Sequence, residues 1–190
     1  MPSFDSVATR AILFSGHMID APGRPQPRFP PALEGRAAAA IARALDWIGV
    51  HETDVGVSSA ACGGDILFAE ALRNRGIPIR IYLPFDEPTF LKHSVDFANH
   101  RWPERYRAVV ARATLLIAPE VLGALPKGTD PYERTNEWML AEARRIAGAR
   151  VSFIALWNGE GGDGPGGTKH MMDAVRSNGG AVDWIDIRRL

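Results

Sequence analysis

The chain has 190 residues, 46% of them hydrophobic, which is enough for one well-buried core and gives no reason to expect two. Lysine plus arginine and aspartate plus glutamate both number 22, so the formal net charge is zero and no basic run exists to gather phosphates along a nucleic acid. No apolar segment approaches the roughly 20 residues that span a bilayer, the opening MPSFDSVATR lacks the apolar core of a signal peptide, and the single Cys62 can form no internal disulfide; a cytoplasmic protein without membrane contact is expected.

Ala11 to Ser15, AILFS, is a brief apolar run closed by Gly16 and reads as a strand. Ala38 to Ile48 then spaces Ile41, Leu45 and Ile48 as a helix does. Between them stand five prolines (Pro22, Pro25, Pro27, Pro30, Pro31), which forbid regular structure and stiffen a long first connection. Asp54 to Asp65, DVGVSSAACGGD, is a β-type run that ends in small residues, two glycines and an acid, and the helical ILFAEALRNRG follows at once. From Ser58 to Gly64 the backbone is nearly bare, so another molecule can come close, and the helix should aim its free N–H groups at the turn. Such a turn suits a phosphate or a ribose.

Pro78 to Phe85 reads as a third strand, with β-branched residues alternating until Pro84 stops it. Pro103 breaks the apolar pattern that follows, which predicts one or two short helices and then a firmer one over Glu104 to Ala113. Thr114 to Ala118 is a fourth strand, PEVLGALPKGTDP an irregular loop, and Tyr132 to Ala147 a helix. Val151 to Trp157 is the most apolar strand and therefore central in its sheet. A second glycine-rich turn, NGEGGDGPGGTKH, leads into the helix MMDAVRSN and a last strand, Ala181 to Ile187.

Strand and helix alternate about six times, which specifies an α/β fold: a single Rossmann-like domain with a mostly parallel sheet of about six strands and helices on both faces. In such sheets the ligand sits beyond the carboxyl ends of the strands, where the strand order switches. SGHMID, SSAACGGD, LPFDEP, APEVLG and LWNGEGGDGPGGT all follow strands, so they should gather at one rim.

FSGHMID, VSSAACGGDILFAEALRNRGIPIRIYLPF and LWNGEGGDGPGGT together resemble the SLOG superfamily, named for its DNA-processing (Smf/DprA) and Lonely Guy (LOG) members. Within it the chain is most similar to the branch associated with nucleotide cyclase, TIR and tetratricopeptide modules. The resemblance covers nearly the whole chain and is most specific where strand, small-residue turn, GGD and a helix ending in RGI follow one another. It implies a rim that binds nucleotides or ADP-ribose relatives in sensor branches, and cleavage or transfer of N-glycosidic bonds in enzymatic ones. The LOG enzymes carry a PGGxGTxxE motif; here GPGGT is followed by Lys169, His170, Met171 and Met172, so the motif's glutamate is missing. Nucleoside deoxyribosyltransferases place a nucleophilic glutamate in a helix before an apolar strand, where Glu137 stands here, although Tyr132 to Thr135 depart from the small-residue run that precedes it in that family. Family members commonly pair, so the resemblance also implies a homodimer, and a sensor implies an effector protein.

Several residues then carry the expected chemistry. Ser59, Gly63 and Gly64 bring backbone close to a ligand, and Asp65 either caps its helix or accepts a ribose hydroxyl. Gly164, Gly166, Gly167 and Thr168 make a second phosphate cradle. Gly16 and His17 leave the first strand at the rim, where His17 can donate to a phosphate or a base. Arg24 and Arg28 can fold over an anion from the proline-rich loop. Arg134, Asn136 and Glu137 open one helix; the arginine suits a phosphate and the glutamate a ribosyl cation, while a surface ion pair explains the same two charges. If there is catalysis, Glu137 and Asp65 are the candidate carboxylates. Histidines 17, 51, 93, 100 and 170 are scattered without zinc-site spacing, no G-x-S-x-G turn occurs, and neither a metal nor a cofactor is expected. The leading expectation is a binding domain for a nucleotide-derived small molecule with regulation of a partner as output; the alternative is a nucleotide N-glycosidase or transferase. A DNA-handling module is the weakest reading, because the neutral chain offers phosphates little attraction.

Overall fold

The computed structural model describes residues 8–99, 101–148, 150–160 and 167–190. Six strands, β1 (Ala11–Gly16), β2 (Val55–Ser58), β3 (Ile79–Leu83), β4 (Thr114–Ile117), β5 (Val151–Trp157) and β6 (Ala181–Asp186), form one sheet in the order β4-β3-β2-β1-β5-β6. Every pairing is parallel, with Leu13 opposite Val57 on one side of β1 and Phe153 on the other. Seven helices accompany the described strands: α1 (Glu34–Trp47), α2 (Gly64–Arg73), α3 (Glu87–Ser94), α4 (Arg101–Val110), α5 (Ala118–Leu122), α6 (Pro131–Ala147) and α7 (Thr168–Ser177).

Alternation along the buried strands feeds two separate cores. Ile12 and Phe14 of β1, with Ile81, Leu83, Ile154 and Leu156, pack toward α1, α2 and α4. Ala11 and Leu13, with Val57, Tyr82, Phe153 and Ala155, pack toward α6 and α7. Buried on both faces, β1 and β5 have almost no polar residues to spare, as a parallel sheet between helical layers requires. β5 lies inside the sheet between β1 and β6, as its apolar run implies.

Three local expectations need correction. α1 begins four residues before Ala38, carried in by a 3-10 turn at Pro31–Leu33. Pro103 does not interrupt a helix: it sits in the first turn of α4, where the missing N–H would have had no intrahelical partner. The stretch PEVLGALPKGTDP is not wholly irregular, because Ala118–Leu122 forms a short helix that carries Pro119 in its first turn and ends at Gly123 with φ +73°. Arg134 stabilises that ending, its guanidinium donating to the carbonyls of Leu122 at 2.7 Å and Gly123 at 3.1 Å.

The strand order reverses at β1. The chain runs outward through β2, β3 and β4, then returns to place β5 on the other side of β1. The carboxyl ends of β1 and β5 therefore flank a crevice that no crossover fills. The amino ends are closed by protein alone: Arg10 donates to the carbonyls of Ile48 and Gly49 and pairs with buried Asp54, each at 2.7 Å. No helix among the described residues is long and apolar enough to cross a membrane.

Candidate functional site

A cavity of about 390 Å³ opens at the reversal of strand order. Its floor is the end of β1, from Phe14 to His17; Ser59, Ala61 and Asp65 come from the β2–α2 turn, Trp157 from the end of β5, and Gly167 and Thr168 from the start of α7. Tyr132, Asn136 and Met139 form a stripe along α6, and Arg28 enters from the proline-rich loop. Of the residues singled out from sequence, Gly16, His17, Ser59, Asp65, Asn136, Gly167 and Thr168 are thus brought together. Gly164 and Gly166 lie outside the described residues.

α7 opens beside this space, with Gly167 and Thr168 in its lining. Its first intrahelical bond runs from Met171 N–H to the Gly167 carbonyl at 3.3 Å, so the amides of Thr168, Lys169 and His170 have no intrahelical acceptor. The Thr168 hydroxyl lies 3.1 Å from that of Ser15, tying this helix start to the floor. α2 behaves differently from expectation. The amide of Gly64 donates to the His17 carbonyl at 3.1 Å, that of Ile66 to the Ala61 carbonyl at 3.4 Å, and that of Leu67 to Gly63 at 3.0 Å. The chain itself thus takes up the amides of Gly64, Ile66 and Leu67, and Gly63 and Gly64 stand behind the lining. What α2 offers the cavity is Asp65, a carboxylate.

Asp65 is only 7% exposed and accepts a long hydrogen bond from Ala61 N–H at 3.3 Å. Burial pushes its carboxyl up to about 7, against the smaller opposing pulls of that amide and the Ser58 hydroxyl. His17 is also buried, its Nε2 3.0 Å from Asn158 Oδ1 and 3.3 Å from the Asn158 N–H. With hydrogen on Nε2 the ring donates to Oδ1; in the other tautomer Nε2 accepts from the amide. Oδ1 also accepts from Glu160 N–H at 3.1 Å, so Asn158 locks the end of β5 onto the residue leaving β1.

The remaining sequence candidates fall elsewhere. Glu137 is exposed and does not line the cavity; one position along α6 from Asn136 turns it by about 100° onto the outer face. Arg134 is occupied with the end of α5. Arg24 turns to Asp20, 3.6 Å away, and to the Gln26 carbonyl, beside a shallow cleft lined by prolines. Trp102 is 1% exposed in the core and Trp138 packs edge-on against Tyr82, whereas Trp157 stands in the wall of the cavity. Sequence reasoning missed Tyr132, whose ring is held edge-on by Phe85 at 5.4 Å, and Asp130, which caps α6 by accepting from Glu133 N–H at 2.8 Å. The Asp-Pro pair before a helical run was the available sign of that cap. No group of three or more His, Cys, Asp and Glu is gathered for a metal among the described residues.

Asp20 shapes the loop that carries Arg28. Only 7% exposed, it accepts from the amides of Arg28 and Phe29, both at 2.9 Å. Asp20→Ala leaves both donors without their acceptor, and should cost about 2–3 kcal/mol in urea denaturation; a change under about 0.5 kcal/mol would show that the loop holds its path without it.

Fold and site together define a Rossmann-like α/β domain with a cavity of mixed polar and apolar lining at the carboxyl rim of its sheet. Comparison with protein-family models and with curated proteins finds no match for this chain.

Proposed function

We propose that the cavity binds a nucleotide or nucleotide-derived ligand, ADP-ribose-like in its parts, and that the protein is a sensor or regulatory domain of the SLOG type acting on an effector in the cytoplasm. The observation that carries this reading is the meeting, at the reversal of strand order, of the start of α7, whose first amides have no intrahelical acceptor, with the buried His17 and Asp65. Helix-opening amides favour a phosphate, the volume is in the range of small-molecule sites, and Trp157 and Tyr132 offer apolar faces to a base. The balanced charge of the chain speaks for a small ligand over a nucleic acid.

A second reading, hydrolysis or transfer at an N-glycosidic bond, draws on Asp65 alone. A carboxyl that titrates near neutrality within a cavity is suited to general acid or base work. Glu137 no longer serves that reading, since it faces outward.

Thermal denaturation with ADP-ribose, AMP, NAD and cyclic nucleotides, each at 1 mM in a standard assay, tests the first reading by stabilisation of the native state. A ligand at about 100 times its Kd adds about 2.7 kcal/mol, which reads as a rise in Tm of several degrees. Chromatography of the same mixtures for free base separates the two readings. Stabilisation without base release supports the sensor; base release that Asp65→Asn abolishes replaces it with the enzyme. A flat response to every nucleotide would refute both.

A further inference from the structure

The sheet ends at β6, and α1 runs beside that edge. Ala40, Arg43, Ala44 and Trp47 fall at i, i+3, i+4 and i+7, a single stripe of α1 that borders Asp183 and Trp184 of the strand across a groove of about 510 Å³. The two alanines keep the helical side of the groove low. Trp47, the last residue of the helix, is 87% exposed, more than any other large apolar side chain among the described residues. Trp184 is 42% exposed, and its indole N–H is spent on the Trp157 carbonyl at 3.0 Å, so what it shows to solvent is apolar ring. Tryptophan surface gathered between charges marks a place where another protein surface docks.

The groove carries both halves of its own complement. It holds a knob in Trp47 and a hollow over Ala40 and Ala44, a cation in Arg43 and an anion in Asp183. Arg43 and Asp183 line the same groove, yet neither makes a hydrogen bond or an ion pair among the described residues. A surface of one sign, or of knobs alone, calls for an unlike partner. A surface complementary to itself is satisfied by a second copy turned about a two-fold axis, where each contact is made twice. The formal charge of zero puts no long-range repulsion in the way of that approach.

We propose that the α1–β6 flank is the interface of a two-fold homodimer, in which Trp47 of each copy fills the hollow over Ala40 and Ala44 of the other and Arg43 of each faces Asp183 of the other. The flank shares no lining residue with the rim cavity, so this inference stands apart from the ligand reading.

Sedimentation equilibrium over about 1–100 μM tests it, a range that brackets a dimer of micromolar Kd. Wild type should show twice the monomer mass at the upper end. Trp47→Ala should weaken the pairing about thirtyfold or more, the effect of removing a central aromatic anchor. Arg43→Asp and Asp183→Arg each bring like charges together twice across the axis, and each alone should stay monomeric. Mixed in equal amounts, those two variants should pair again, because every crossing contact is then between an acid and an arginine. A wild type that is monomeric throughout overturns the proposal and leaves the flank to an unlike partner. A dimer that Trp47→Ala and both reversals leave intact overturns it too, by placing the pairing on another face. Reversals that keep native circular dichroism but stay monomeric on mixing overturn the crossing of Arg43 to Asp183, and the two-fold arrangement with it. The wild-type and Trp47→Ala arms decide the matter even if a reversal fails to fold.

Discussion

Asp65→Asn should make the protein more stable at pH 8, by up to about 4 kcal/mol, while weakening ligand binding. Burial holds the native carboxyl at about 7, whereas an unfolded chain ionises it near 3.9. Below both values the group is protonated in either state and contributes nothing. As pH rises past about 4, the unfolded chain gives up its proton and gains hydration while the native carboxyl resists; the native state therefore loses ground until pH reaches about 7. Above that both forms are ionised and the penalty is constant. At about 1.4 kcal/mol for each tenfold difference in proton affinity, the three-decade mismatch gives the figure above as an order of magnitude. Asparagine keeps the shape and an acceptor for Ala61 N–H but never has to ionise. Urea denaturation of both proteins at pH 4, 6 and 8 should show a gap that opens with pH and levels off. Equal stabilities at pH 8, or a gap that is the same at pH 4, would mean that Asp65 ionises freely in the folded protein.

Much of this architecture was legible because it is written locally. Each strand is a short apolar run between turn residues and each long helix carries its period, so the alternation, the parallel sheet and the rim of strand-end loops followed from pattern alone. The short helix at Ala118–Leu122 escaped because five residues have too little periodicity to recognise; it is held by Ala118 in the core and by Arg134 reaching back from α6. The same held for Pro103, whose effect depends on whether it falls in a first turn or an interior. Within the site, sequence could name the helix that carries Asn136 but not its rotation about its axis. Tyr132, Asn136 and Met139 lie at i, i+4 and i+7 and share the cavity face, which leaves Glu137 and Arg134 to solvent and to α5. Nor could it foresee that the Gly64 amide opening α2 is spoken for, because its acceptor, the His17 carbonyl, is brought there by a pairing of Met18 with Gly63 across 45 residues of chain.

That pairing makes Gly63 the glycine with the least tolerance among the described residues, and Gly63→Ala should cost about 3–5 kcal/mol and open the cavity. Its backbone has φ +113° and ψ −127°, a conformation that only glycine adopts without strain. A Cβ built there would lie 2.5 Å from the Ile19 nitrogen, 2.8 Å from the His17 oxygen and 2.9 Å from the Met18 carbonyl carbon. All three are main-chain atoms, so no side chain can swing aside, and relief must come from moving segment 17–19 away from α2. That movement breaks the bond from Ile19 N–H to the Cys62 carbonyl at 2.9 Å and the one from Gly64 N–H to the His17 carbonyl, and it carries His17 off its contact with Asn158. Stability and site geometry therefore fall together, with Tm lower by roughly 6–20 °C for a chain of this size. Gly35→Ala is the control: Gly35 is exposed within α1 and a Cβ there meets nothing within 4 Å, so the change should be neutral or add up to about 1 kcal/mol. If Gly63→Ala denatures within 1 kcal/mol of wild type, the 17–19 segment is not fastened to the turn as described, and the floor of the cavity must be held by something else.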